Sequence, residues 1–214
     1  MRLWATVLIV SGVFAPVAHA QEESAGRSST EAPAKKEWTF ALTAYPTDVR
    51  GGDNYTSAIA AADHGPLHLE ARYNYESIGA RSAYAGWSFS GGDTLTWQLT
   101  PIVGGAWGTT HSFIPGVEAS FTWRALDLYV EAEYVPTSSR HDRYTYAWSE
   151  LGLRAAPWLR VGIVGQRTRT YGNDREFQRG PFAQFTWGVV TIGGYWFNPG
   201  AGDQVFVGSL GVKF

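Results

Sequence analysis

Glu131 and Glu133 stand two residues apart in "LDLYVEAEYV", residues 126–135. In an extended strand that spacing puts both side chains on one face. Two carboxylates so placed repel each other unless a cation approaches or one keeps its proton. A second charged stretch, "LHLEARYNYES" at 67–77, divides by parity. His68, Glu70, Arg72, Asn74 and Glu76 fall on one side, and Leu67, Leu69, Ala71, Tyr73 and Tyr75 on the other. Carboxylates gathered on such a face can hold a proton, attract cations or set the field inside a pore. Hydrolysis has weaker support. A Ser nucleophile needs a base and an orienting acid beside it. Of the histidines, His64 falls in a tight turn, His111 and His141 in longer loops, and His68 on the charged face. His111 adjoins Ser112, but neighbouring strand residues point apart. Asp142, Asp174, Glu176 and Asp203 are loop carboxylates that could hold Ca²⁺. Arg140, Arg143, Arg169 and Arg175 could meet lipid phosphates from the same loops. No metal, cofactor or catalytic set emerges, and no enzyme activity is expected.

The elements that carry these charges repeat along the chain. Twelve period-two segments follow one another, at roughly 37–46, 54–63, 67–76, 81–90, 94–103, 113–123, 126–135, 144–154, 158–168, 180–187, 190–197 and 204–214. Each is long enough to cross a bilayer as a tilted strand. Tight turns such as "HGP", "GGD" and "AP" mostly alternate with longer ones such as "TDVRGGD", "TSSRHDR" and "RTYGNDREFQR". One parity is apolar through most of the chain: Phe40 and Leu42 early, Trp97 and Leu99 in the middle, Phe206 and Leu210 near the end. A sheet with hydrocarbon on one face must close, because unpaired edges are too costly there. The expected fold is all-β: a transmembrane, antiparallel, up-and-down barrel over 37–214, with about twelve strands in a range of roughly ten to fourteen.

Composition agrees. The chain has 10 Trp and 11 Tyr, more than a soluble core commonly needs. Trp38, Trp87, Trp97, Trp123 and Trp187 fall near one end of their strands and Trp196 near the other, which predicts an aromatic belt. There is no cysteine, so no disulfide. The formal net charge is −2, which excludes a basic nucleic-acid surface. Residues 1–20, "MRLWATVLIVSGVFAPVAHA", have one Arg, an apolar run and Ala18-His19-Ala20, as a secretory signal peptide would. Residues 21–36, "QEESAGRSSTEAPAKK", lack apolar periodicity and are expected to be a disordered periplasmic segment. An export signal followed by a barrel gives a bacterial outer membrane as the expected location, where an even strand count would put both termini in the periplasm.

On the polar parity the candidate lining residues are His68, Glu70, Arg72 and Glu76, then Glu118 and Arg124, then Asp127, Tyr129, Glu131 and Glu133. Tyr146, Trp148, Glu150, Arg154, Arg160 and Lys213 complete the set. Acids outnumber bases among them, so an open pore would favour cations. Arg124 or Arg154 could relieve the Glu131–Glu133 repulsion if register allows. The polar face reads either as a pore lining or as a network that holds a packed lumen together. Tyr129, Tyr144, Tyr146 and Trp148 suit either guidance of amphipathic solutes or packing at a constriction.

The ending "GSLGVKF" resembles the assembly signal of bacterial outer-membrane proteins, with Phe214 preceded by Val212, Leu210 and Phe206 at alternate positions. That resemblance implies the barrel assembly machinery as a partner, along with outer-membrane lipids and lipopolysaccharide. In size and strand count the chain is similar to the small twelve-stranded porins for acidic oligosaccharides. Those carry basic tracks, of which Arg72, Arg154 and Arg160 would be a thin version. The functional expectation is a channel or porin for passive passage of small polar or charged solutes. The alternative is a non-conducting structural or surface-binding barrel; a lipid-modifying hydrolase stands further off.

Overall fold

The computed structural model describes residues 37–136, 143–170 and 175–214. The expected signal and lead-in, 1–20 and 21–36, lie outside the described residues, as do Arg140, His141, Asp142 and Asp174. The strands are β1 (Thr39–Val49), β2 (Tyr55–His64), β3 (Leu67–Tyr73), β4 (Arg81–Trp87), β5 (Phe89–Gly91), β6 (Leu95–Trp107) and β7 (Ser112–Trp123). They continue with β8 (Leu126–Val135), β9 (Tyr144–Ala156), β10 (Leu159–Thr170), β11 (Arg175–Trp187), β12 (Val190–Phe197) and β13 (Val205–Lys213). β4 and β5 are two halves of one stave, since both pair with β6 in a single register. The paired positions Gly86↔Ile102 and Phe89↔Leu99 bracket Pro101. Proline has no N–H to give to the ladder, which accounts for the interruption. Ser88 N donates instead to Pro66 O at 2.7 Å.

The twelve staves form one antiparallel sheet that closes on itself. β13 pairs with β1 and β4 pairs with β6, so no stave is left as an edge among the described residues. Two expected strands, Leu126–Val135 and Val190–Phe197, agree at both ends. Two others differ. β3 stops at Tyr73 instead of running to 76, because Asn74 takes φ 54°, a left-handed conformation that ends the alternation. Tyr75, expected on the apolar outer face, is thereby turned inward and fully buried. β11 begins at Arg175, where 180 was expected. The polar run before Gly180 reads as loop, yet it pairs with β10 up to Arg169↔Arg175, with Phe177 exposed and Gln178 buried. Glu176 and Arg175 therefore lie on a strand, as does Arg169.

The outer face is apolar, with Leu42, Leu99, Leu151, Ile163 and Leu210 all exposed there. Trp38, Trp87, Trp97, Trp123 and Trp187 are exposed toward the end that carries the short turns and the chain terminus, joined by Trp158. Trp107 and Trp196 are exposed toward the long-loop end. Such an apolar band with aromatic girdles is what a hydrocarbon surrounding requires.

The inner face is full. Each of the twelve staves sends at least one buried side chain inward, from Tyr45 on β1 and Ile59 on β2 round to Val207 on β13. Inward glycines make the room. A Cβ at Gly152 would come within 2.5 Å of Arg160 Nε and 2.8 Å of Asp127 Oδ1. One at Gly104 would strike the Tyr84 ring. Outside, Ile163 stands mid-strand and 62% exposed. Ile163→Arg is therefore expected to cost about 2–4 kcal/mol in denaturant unfolding from phospholipid vesicles. Ala201→Arg, in the loop between β12 and β13, is expected to change the same midpoint little.

The buried charge network as candidate functional site

Arg72 on β3 reaches across the lumen to β8. Its Nε and Nη2 donate to Glu70 at 2.7 and 2.9 Å, and its Nη1 donates to Glu133 Oε1 at 2.5 Å. Nη1 also lies 3.2 Å from Glu131 Oε1. The guanidinium carbon sits 4.1 Å from the centre of the Tyr75 ring and 4.3 Å from that of Tyr84. A planar, weakly hydrated cation suits a place between two rings. The two tyrosines also serve the acids: Tyr75 donates to Glu131 at 2.6 Å and Tyr84 to Glu76 at 2.8 Å. Tyr129 donates to the other Glu131 oxygen at 3.3 Å.

A second cluster centres on Arg160 of β10. It pairs with Asp127 of β8 and, at 2.5 Å, with Glu150 of β9, and it donates to Gln184 of β11 at 2.9 Å. Trp148 Nε1 donates to Glu150 at 3.1 Å. An aromatic layer lies against this cluster. Trp148 packs on Tyr195 and Phe197 with ring centres 5.6 and 5.5 Å apart, and Phe182 packs on Tyr195 at 5.5 Å. These are the ordinary edge and tilted geometries of aromatic pairs.

Most of the residues singled out in the sequence meet in these two clusters: Glu70, Arg72, Glu76, Glu118, Tyr129, Glu131 and Glu133 around the first, Asp127, Trp148, Glu150 and Arg160 around the second. Tyr146 packs edge-on against Tyr75 at 6.3 Å. His68 lies beside Glu70 and Glu118. Arg124 is elsewhere. It occupies the turn after β7 at φ 56°, with its guanidinium 5.2 Å from the centre of the Trp123 ring. Arg154 is exposed at the short-turn end. Neither relieves the Glu131–Glu133 pair; Arg72 does. Tyr45, Tyr84, Phe182 and Tyr195 are further inward members that a search for charge passes over. Their parity in the strands was the available signal.

The network leaves a vestibule at the short-turn end. Its volume is about 390 Å³, and its lining includes Thr43, Arg154, Trp158, Ser209 and Lys213. Ser112, the candidate nucleophile beside His111, donates its hydroxyl to the Pro136 carbonyl at 2.5 Å. Glu176 accepts from Gln178 at 2.8 Å, and Asp203 accepts from Asn198 at 2.9 Å.

Removing one partner of a buried ion pair leaves an uncompensated charge, at a cost of about 3–5 kcal/mol. Arg72→Met is expected to lower barrel stability by that amount in urea unfolding. Arg154→Met, at the exposed end, is expected to shift it by well under about 1 kcal/mol.

No family model matches this chain, and no curated protein does. Solved structures do match. The KdgM porin in complex with disordered oligogalacturonate aligns with TM-score 0.53 at 10% identity, over 82% of this chain and 98% of that one. Another structure of the KdgM porin gives 0.55 at 9% identity, over 81% and 98%. The Acinetobacter baumannii outer membrane protein Omp33 gives 0.45 at 10% identity, over 84% and 100%, too loose a match to weigh. At such identities the likeness is one of fold: this chain is a twelve-stranded barrel of the kind found in outer-membrane porins.

Proposed function

We propose that this protein is an outer-membrane barrel, with its termini in the periplasm, whose bore is shut at rest by its own side chains. One observation carries the reading. Every stave contributes buried inward groups, and Tyr75, Tyr146, Trp148, Glu150 and Tyr195 have no exposed surface at all. A general diffusion pore needs a continuous wet path, whose lining would be accessible to water. Here the inward charges are spent on one another. The candidate lining residues then act as a structural network, and the barrel serves as a membrane-anchored scaffold in contact with lipid and lipopolysaccharide. Phe214, which exchanges backbone hydrogen bonds of 2.7 and 2.9 Å with Phe40 at the closing seam, suits recognition by the barrel assembly machinery.

A second reading is gated passage of small polar solutes. The porin fold and the vestibule favour it. Under it the network must part before a solute crosses, and Glu131, Glu133 and Tyr129 would then line the path. Oligogalacturonate, the polyanion held by the KdgM porin, is a poor candidate for that solute, because Arg72 and Arg160 are already engaged by carboxylates.

Planar-bilayer recording of the refolded protein tests both readings. The wild type is expected to give no steady conductance steps. Truncating the plug with Tyr146→Ala and Trp148→Ala together is expected to produce them. Steady steps from the wild type would overturn the closed reading and select the second.

A further inference from the structure

His68 has an unusual surrounding. Its Nδ1 lies 2.8 Å from Asp63 Oδ1, a hydrogen bond that fixes the ring and directs the other nitrogen. That other nitrogen, Nε2, is buried and has no hydrogen-bond partner among the described residues. The residue as a whole keeps 8% of its surface exposed. Nε2 points between two carboxylates, 3.7 Å from Glu70 Oε2 and 3.9 Å from Glu118 Oε2. Both distances are too long for hydrogen bonds. The three donor atoms all lie within 4.8 Å of one another. Around a tetrahedral Zn²⁺, ligand atoms at about 2.0–2.1 Å from the ion stand roughly 3.4 Å apart. The two edges from His68 are therefore a few tenths of an ångström longer than such an ion needs, and the edge between the carboxylates is within 4.8 Å.

Two further features agree. A carboxylate behind a histidine, holding Nδ1–H while Nε2 faces the ligand, is the arrangement that orients metal-bound imidazoles. The charge balance is also short of cations: Glu70, Glu118, Glu131 and Glu133 share the single guanidinium of Arg72. Asp63 at 43% and Glu118 at 18% side-chain exposure put the cluster at the edge of the packed region, within reach of solvent from the short-turn end.

The geometry points to a divalent transition-metal site, with Zn²⁺ as the best-fitting ion, ligated by His68 Nε2, Glu70 and Glu118 and oriented by Asp63. A water molecule would complete the tetrahedron. Glu70 keeps Oε1 on Arg72 Nε, and the ion would share Oε2 with Arg72 Nη2, which donates to it at 2.9 Å. The ion would tie β3 to β7 and lower the negative charge of the lumen. This site depends on the sheet closing into a barrel and is independent of whether the bore conducts.

The test is Zn²⁺ binding to the full chain, refolded in detergent micelles and freed of metal by chelator. Metal retained per chain is measured by elemental analysis after gel filtration, and affinity by titration calorimetry. Co²⁺ substitution gives a visible absorption spectrum that reports four-coordination. Folding of every variant is checked by heat-modifiable migration on gels. The wild type is expected to retain one ion per chain. Glu118→Gln and His68→Gln are each expected to weaken binding more than about ten-fold, and Asp63→Asn by about 10–100-fold. Should His68→Gln fail to fold, Glu118→Gln decides. No Zn²⁺ on the folded wild type, or equal binding by the folded Glu118→Gln protein, would overturn the proposal.

Discussion

The structure turns on a guanidinium taken out of water. Arg72 has no exposed side-chain surface, and in a lumen without bulk solvent its charge must be answered on every side. Carboxylates from β3 and β8 do so in its plane, and two tyrosine rings cover its faces. Because the partners come from staves on different parts of the wall, the pairing works as a chord across the cylinder. Losing it would leave several acids facing one another in a low-dielectric space. Arg160 repeats the arrangement nearer the other end of the bore, with Asp127 and Glu150 as its answers. Buried as they are, these ion pairs act with a strength that bulk water would screen.

Much of the fold was legible in the sequence, because period two is unambiguous wherever one face meets hydrocarbon. Phe40, Leu99, Ile163 and Leu210 could only point outward, and they do. The misses have local causes. Tyr75 obeyed the apolar parity until Asn74 turned left-handed and reversed it. The start of β11 was hidden because Arg175, Glu176, Gln178 and Arg179 look like loop residues, with only Phe177 to suggest a strand. For the site, parity placed the acids inside correctly, yet it could not say which cation would meet them. Arg124 and Arg154 were nearer in the chain to Glu131 and Glu133. The partner proved to be Arg72, a residue of a stave well round the wall, whose approach depends on tilt and register that no local pattern encodes. His68 and Glu70 stand two apart on one strand, but Glu118 joins them only through the closed barrel.

The filling of the bore also depended on residues that a search for polar lining ignores. Tyr195, Phe197, Val205 and Val207 face inward and form the apolar part of the plug. An inner face that mixes such groups with charges is neither a wet channel wall nor an oily core. It resembles a protein interior in which the ionic groups happen to be numerous and most are answered by a neighbour, with His68 Nε2 and one Glu76 oxygen left over among the described residues.

The inward glycines give this a geometric meaning. Gly152 lies where a methyl group would collide with the Arg160–Asp127 pair, and Gly104 where it would collide with Tyr84. Wall and filling are cast against each other like a mould and its casting. Circumference follows from counting staves, whereas aperture follows from which positions are hollowed and which are filled. Two cylinders of equal girth can consequently differ wholly in permeability.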